Sequence, residues 1–376
     1  MKIVFTGGGT GGHFYPIIAV SERVNRIADE QHLANVQMYY FSDAPYDESA
    51  LEENHIEFQQ ISAGKMRLYF SVKNIIDIFK TGWGIVQALY RLFTLSPDVV
   101  FGKGGYASFP TLFAARILRI PVMIHESDSA PGRVGRWAGK FAKRIAVSYP
   151  EAAKHFDKTK TAWTGQPVRL GLMRKLDIGG YEYLKLDEHV PVVWIIGGSL
   201  GAKILNDSVL EVLPELIQDY QIIHQTGAKN YPDVLAESHL RLEGNKLAYR
   251  YKVFPFLDEL ATRMSAGISR VVVTRAGSML FEIAGWKIPA IVIPISKSIG
   301  DHQMKNAYNY ARTGAGLVIE EANLTPSVLK EEIDRVIADK TLQDKMKNSA
   351  TEITSQDAAD VIGQELVQLA IGHMEA

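Results

Sequence analysis

The sequence predicts an α/β protein with two parallel sheets, one in each of two domains. Three observations carry this. Short apolar runs alternate with helical patterns along most of the chain, which implies crossover helices covering both faces of a parallel sheet. The alternation stops at the turn-like segment Thr164-Gly165-Gln166-Pro167 and restarts at Val192. The chain has 376 residues, enough for two domains with cores of ordinary size.

The elements follow in order. Lys2–Thr6 is a β-rich run that ends on glycines, and a helical pattern follows over Tyr15–Ile27. Further strands are expected at Val36–Phe41, Asp98–Phe101, Pro121–His125 and Arg144–Val147. A hinge is placed at 164–168. The second series begins with Val192–Ile196 and continues with Gln221–His224, Tyr249–Phe254, Ser269–Thr274, Ala290–Pro294 and Gly316–Ile319. Ala358–Ile371 reads as a closing helix. The expected domains are 1–165 and 166–349, followed by a C-terminal helical segment of about 350–376.

Bulk properties narrow the function. The formal net charge is −1, so no general polyanion-binding character follows and nucleic acid is not an expected partner. The absence of cysteine excludes disulfides and thiolate metal sites. The N-terminus lacks the long apolar region of a secretory signal. No stretch reaches the roughly 18 uncharged apolar residues of a transmembrane helix. Any membrane contact is expected to be peripheral.

Three strand–glycine–helix turns carry the chemistry. They are Gly7-Gly8-Gly9-Thr10-Gly11-Gly12-His13, Gly102-Lys103-Gly104-Gly105-Tyr106 and Gly197-Gly198-Ser199-Leu200-Gly201-Ala202. Glycine lets backbone approach a ligand closely, and free N–H groups at a helix N-terminus attract anions. Gly7, Gly9 and Gly12 also satisfy the dinucleotide pattern, with Asp43 as its possible ribose acid. An NAD enzyme needs one such loop and leaves two unexplained. Three loops, two before the hinge and one after, suit a diphosphate donor and a phosphorylated acceptor.

The segments TGGGTGGHFYP (6–16), GKGGY (102–106), HESDSAPG (125–132), TGQPVR (164–169), GGSLGA (197–202), HQTG (224–227), RAGS (275–278) with Glu282, and GDHQMKNA (300–307) occur in one order. In that order the chain resembles the MurG-type N-acetylglucosaminyltransferases of glycosyltransferase family 28, over nearly its whole length. The resemblance implies a GT-B fold, with two Rossmann-like domains facing across a cleft and the C-terminal helix, about 350–376, packing back on the first domain. It implies an inverting transferase that uses UDP-N-acetylglucosamine (UDP-GlcNAc) as donor and no cofactor. The implied acceptor is the 4-hydroxyl of MurNAc in undecaprenyl-diphospho-MurNAc-pentapeptide (lipid I), and the implied product is lipid II for peptidoglycan. The implied location is the cytoplasmic face of the cell membrane, bound peripherally.

Residue by residue, the resemblance puts Gly198, Ser199 and Gly201 on the donor diphosphate, with Arg275 and Ser278 close by. It puts Glu282 on the ribose hydroxyls, Phe256 and Leu257 beside the uracil, and Gln303 on the sugar. Thr10, Gly11, Gly12 and Arg169 count with the donor as well. On the acceptor side it puts Gly9, Gly104, Gly105, Tyr106, Glu126 and Asp128, with the two loops of the first domain holding the lipid diphosphate. The sequence has Leu200 where the family often has Gln, and Phe109 after Ser108 where it often has Gly.

The chemistry needs a base for the acceptor hydroxyl and a stabiliser for the departing diphosphate. Backbone N–H groups and Arg275 serve the second need. No Asp-x-Asp pair follows a strand as a metal–diphosphate anchor, so a metal-independent reaction is expected. His13, directly after the first loop, is the expected base, because imidazole titrates near neutrality. The plainer role is capping the loop or binding phosphate. His224 is expected to support the donor loop.

Residues 64–93 carry a further feature. Ile75, Ile76, Phe79, Trp83, Val86 and Tyr90 recur at helical spacing, and Ile78, Ile85 and Leu92 form a second stripe. One stripe must face the sheet. The other, ringed by Lys65, Arg67, Lys73, Lys80 and Arg91, suits an anionic membrane surface. Gly82 and Gly84 are expected to weaken or break this helix. The competing readings are a transferase with another lipid acceptor such as diacylglycerol, a UDP-GlcNAc 2-epimerase, and a non-catalytic sugar-nucleotide-binding subunit.

Overall fold

The computed structural model describes residues 1–65, 72–198, 201–296, 301–353 and 358–374, with backbone alone for 72–74 and 374. The chain divides into two compact units, Met1–Arg169 with Ser355–Ala376, and Leu170–Thr354.

The first unit holds β1 (Lys2–Thr6), β2 (Gln37–Ser42), β3 (Ile56–Gln60), β4 (Val99–Gly102), β5 (Val122–Glu126), β6 (Arg144–Val147) and β7 (Thr161–Trp163). They pair in parallel in the order β3-β2-β1-β4-β5-β6-β7. The second unit holds β8 (Val192–Ile196), β9 (Gln221–Gln225), β10 (Tyr251–Phe254), β11 (Ser269–Thr274), β12 (Ala290–Val292) and β13 (Gly316–Val318). Their order is β10-β9-β8-β11-β12-β13, again parallel. Central strands are buried on both faces, which is why β1, β4, β8 and β11 read as continuous apolar runs. Strands β3 and β7 were not anticipated. Both are sheet edges, half-exposed and partly polar, so they lack that signal.

Strand order reverses between β1 and β4 in the first sheet and between β8 and β11 in the second. In open α/β sheets, ligands bind at the carboxyl ends of strands at such a switch point. The loops after β1 and β4, and those after β8 and β11, therefore occupy the ligand-binding ends of their sheets. The helix after β1 runs over Gly11–Glu30, starting four residues earlier than expected, so the last glycines of the first loop form its first turn. Helix Ala358–Met374 packs on it: Ile362, Leu366 and Val367 share a core with Val20, Val24 and Ile27. Arg23 and Arg26 pair with Asp360, and Arg144 with Glu365.

Helix Val72–Leu95 runs unbroken through both of its central glycines, against expectation. The reason is packing. A Cβ on Gly84 would stand 1.7 Å from the carbonyl oxygen of Ser62, so glycine is what lets the helix lie against that segment. Gln87 and Thr81 fix the contact by accepting from the N–H groups of Ser62 and Gly64. Gly82 faces open space. We expect Gly82→Ala to stabilise the protein by about 0.5–1 kcal/mol, the helix-propensity gain, and Gly84→Ala to destabilise it. Thermal melts of the two variants check the opposite signs.

Ala88 and Leu92 continue the buried line of Gly84, whereas Ile78 of the expected second stripe is exposed. Ile75, Ile76, Ile78, Phe79, Trp83, Val86, Tyr90 and Phe93 are 53–74% exposed, on one helix. That is far more apolar surface than scattered exposed side chains explain. Lys80 is exposed beside them, Arg91 donates to Gln59, and Lys65 lies 5.4 Å from the Tyr106 ring centroid. Arg67 and the Lys73 side chain lie outside the described residues. Among the described residues, no helix is long and apolar enough to cross a membrane.

Candidate active site

In the first unit the loops after β1 and β4 pack on each other. The Gly7 carbonyl accepts from Tyr40 Oη at 3.0 Å and Ser42 Oγ at 2.7 Å, and the Thr6 carbonyl accepts from the Lys103 N–H at 2.8 Å. A Cβ on Gly9 would stand 3.2 Å from Tyr106, whose hydroxyl donates to Asp43. Asp43, the ribose acid of the dinucleotide reading, thus ties the loop after β4 to the end of β2. Gly9 is exposed, while Thr10, Gly104, Gly105 and Tyr106 are half-buried.

His13 lies in the first turn of helix Gly11–Glu30, with Nδ1 2.9 Å from Thr10 Oγ1. Burial and the Lys103 ammonium lower its pKa to about 4, against the opposing pull of Asp128. His13 is therefore a neutral imidazole at pH 7. Sequence reasoning gave Lys103 no role, yet it is central here. It is 2% exposed, its ammonium donates to Ser127 Oγ, and burial lowers its pKa to about 8 despite Glu126 and Asp128. The available signal was a lysine inside a glycine loop after a buried strand.

Glu126 ends β5. Its Oε1 accepts from the Asp128 N–H and its Oε2 from the Gly132 N–H, both at 3.1 Å. Burial and Asp128 raise its pKa to about 7, against Lys103 and these two hydrogen bonds. Glu126 thus braces the 126–132 turn, and Asp128 is half-buried beside it. Arg169 stacks 4.2 Å from the Tyr15 ring centroid. With Thr10, Gly11 and Gly12 it belongs to the first unit, so the residues assigned to the donor are divided between the units.

In the second unit, the loop after β8 leads into helix Lys203–Asp219. Gly198 and Gly201 have φ of +83° and +76°; Ser199 and Leu200 lie outside the described residues. His224 ties β9 to β10 and to helix Lys203–Asp219. Its Nδ1 is 2.9 Å from Tyr251 Oη and its Nε2 3.0 Å from Asn206 Oδ1, and Asn206 Nδ2 donates to the Thr226 carbonyl. Burial lowers the His224 pKa to about 3, so it is a neutral structural residue.

Two of the assigned residues are held by contacts within the unit. Leu257 is 3% exposed, and its N–H donates to Gln225 Oε1 at 3.0 Å. Its side chain belongs to the core, while the neighbouring Phe256 is exposed. Arg275 is buried: Nη1 donates to the Ile293 carbonyl at 2.9 Å, and Nη2 pairs with Glu321 Oε1 at 2.6 Å. Burial pushes the Glu321 carboxyl up, but the Ser296 N–H and Arg275 together hold it below the usual range. Arg275 braces the loop after β12 through this pair, while its buried Nε has no hydrogen-bond partner among the described residues. Ser278 and Glu282 are half-buried around the start of helix Met279–Gly285. Gln303, on helix His302–Arg312, accepts the Ile295 N–H at 3.2 Å.

This geometry agrees with the comparisons. Residues 3–147 match the glycosyltransferase family 28 N-terminal domain, and residues 192–362 match its C-terminal domain. The chain is 36% identical over 354 residues, 93% of its length and 94% of the other, to a Clostridium novyi protein. That protein is named UDP-N-acetylglucosamine–N-acetylmuramyl-(pentapeptide) pyrophosphoryl-undecaprenol N-acetylglucosamine transferase. It is also 36% identical, over 99% of both chains, to a Bacillus cereus protein carrying the same name with the number 2. Among solved structures, Acinetobacter baumannii MurG superposes with a TM-score of 0.70 at 24% identity, covering 98% of this chain and 99% of that one. UDP-GlcNAc 2-epimerase from Neisseria meningitidis, bound to UDP-GlcNAc, superposes with a TM-score of 0.69 at 15% identity, covering 98% and 100%. Both structural likenesses speak to the fold, which is GT-B. Matching the models of both of its domains, this chain belongs to glycosyltransferase family 28.

Proposed function

We propose that the enzyme transfers N-acetylglucosamine from UDP-GlcNAc to the 4-hydroxyl of MurNAc in lipid I, with inversion, giving lipid II. The observation that carries this is the pair of interlocked glycine loops around His13 and Lys103 in one unit, matched by a glycine loop at the switch point of the other. The 2-epimerase reading gives no use to the exposed apolar helix. The curated relatives of both chains' full length carry the transferase name.

In this reading the loops after β1 and β4, with Gly9, Gly104, Gly105 and Tyr106, hold the acceptor diphosphate, and Lys103 adds a buried positive charge. His13 takes the hydroxyl proton on Nε2. Its Nδ1–H then donates to Thr10 Oγ1, which fixes the tautomer. The freed oxygen attacks the anomeric carbon, and UDP leaves with the bonding pair. N–H groups of the loop 197–201 and of helix Lys203–Asp219 stabilise the charge on the departing diphosphate. Phe256 stacks on uracil, Glu282 accepts from the ribose hydroxyls, and Gln303 contacts the sugar. The reading is tested by assaying transfer from UDP-GlcNAc to a short-chain lipid I analogue beside a diacylglycerol acceptor; preference for the second would replace lipid I.

The exposed face of helix Val72–Leu95 holds the enzyme peripherally on an anionic membrane, at its cytoplasmic face, where a lipid-linked acceptor is presented. Flotation with anionic liposomes checks it. The double variant Phe79→Ser/Trp83→Ser should lose most of the bound fraction, and Lys80→Glu should weaken binding and make what remains less salt-sensitive, because an attracting charge is gone. Undiminished binding of both contradicts the assignment.

A further inference from the structure

One chain of hydrogen bonds crosses the carboxyl ends of four adjacent strands. At the end of β4, Lys103 Nζ donates to Ser127 Oγ, just beyond β5. Ser127 Oγ donates to Gln166 Oε1 at 2.8 Å, in the segment after β7. Ser148 Oγ, just beyond β6, donates to the same Gln166 oxygen at 2.7 Å. His125 Nε2, in β5, lies 3.2 Å from Ser148 Oγ and 3.1 Å from the Gly165 carbonyl.

The direction of every link is fixed by its two ends. An ammonium can only donate, so Ser127 must accept from Lys103 and pass its single proton to Gln166. A carbonyl can only accept, so His125 carries its proton on Nε2 and also donates to Ser148. Ser148 then has its own proton for Gln166. Both arms converge on one amide oxygen. Lys103, His125, Ser148 and Gln166 are each 4% exposed or less, and Ser127 is half-buried between them. Gln166 stands three residues before Arg169, where the chain leaves the first unit.

We propose that Gln166 is a positioning residue for acceptor use: it ties the exit segment 164–167 to Lys103 and so holds the loop after β4 in register with His13. This rests on the transferase reading above. In this proposal Gln166 acts through Ser127 and Lys103 rather than by contact with substrate. Removing its oxygen leaves the buried Ser148 hydroxyl and the half-buried Ser127 hydroxyl without this acceptor and loosens the hold on the Lys103 ammonium.

The test is steady-state kinetics on the full-length enzyme with UDP-GlcNAc and a short-chain lipid I analogue, beside calorimetric UDP-GlcNAc binding and thermal melts. Gln166→Leu should lower kcat/KM for the acceptor about tenfold, the size expected for one lost buried hydrogen-bond anchor, with donor KM and Kd unchanged. Ser127→Ala breaks the chain one link on and should do the same, which serves if Gln166→Leu folds poorly. Gln166→Glu keeps an acceptor oxygen and should recover most of the loss. Lys103→Met/Gln166→Leu should be no worse than Lys103→Met alone, because both cut one chain. Donor and acceptor KM rising together in step with a lower Tm, or multiplying effects in the double variant, would overturn the proposal. A wild-type enzyme with no transfer would overturn the transferase reading, and this inference with it; wild-type transfer with unsplit variants would overturn the inference alone.

Discussion

Replacing His13 with alanine is expected to lower kcat about 10²–10³-fold, within the usual range for a lost general base, while UDP-GlcNAc binds as before. The pH profile then identifies the base. Two groups near the first loops have shifted in opposite directions: His13 down to about 4 and Glu126 up to about 7. A base is active when deprotonated, so kcat/KM rises with pH through the base's pKa in the free enzyme and then levels. If His13 is the base, kcat/KM is level through pH 6 and falls only as pH approaches about 4. If Glu126 is the base, the fall is already under way near pH 7. The kcat profile should break at higher pH than kcat/KM does. The bound acceptor diphosphate places negative charge near His13, offsetting the Lys103 ammonium that weakens it as a base. Unchanged kcat in His13→Ala removes it from the reaction.

Gly201→Ala is expected to weaken UDP binding tenfold or more, a cost of at least about 1.4 kcal/mol. The backbone there has φ +76°, and an added Cβ would stand 2.2 Å from both Asn230 Nδ2 and the Thr226 carbonyl oxygen. Neither neighbour yields readily, because Asn206 and Asn230 both donate to that carbonyl at 3.1 Å. The loop must move, and its N–H groups move with it. Gly198 is the internal control. Its φ is +83°, yet nothing lies within 4 Å of its Cβ position. Gly198→Ala therefore meets only the left-handed penalty of about 1–2 kcal/mol, felt as a lower Tm more than as lost affinity. Titration calorimetry with UDP and thermal melts on both variants separate the two. Equal affinity losses would mean that loop 197–201 owes its shape to something other than the Thr226 contact.

The parts of this molecule that were legible in the sequence are those governed by local chemistry. Val192–Ile196 announces a central strand because both of its faces are buried, and the glycines after it announce a close backbone approach. Edge strands β3 and β7 carry no such pattern. Long-range partners are illegible for a different reason. The pairing of Arg275 with Glu321, 46 residues away in sequence, leaves no local pattern. Phe256 and Leu257 look equivalent, and only the tertiary fold turns one out and the other into the core. Gly84 reads as a helix breaker because the Ser62 carbonyl that makes it necessary comes from another segment. Lys103 carries no local sign of its burial, which brings it against Ser127 and the turn that Glu126 braces.

The central claim is tested most directly by incubating the purified full-length enzyme with radiolabelled UDP-GlcNAc and a short-chain lipid I analogue in detergent, and identifying the product. The account predicts label transfer to the acceptor, stoichiometric release of UDP, and a β-1,4 linkage to the muramyl sugar. UDP-GlcNAc that binds but yields no labelled acceptor, or is converted to its 2-epimer, would contradict it.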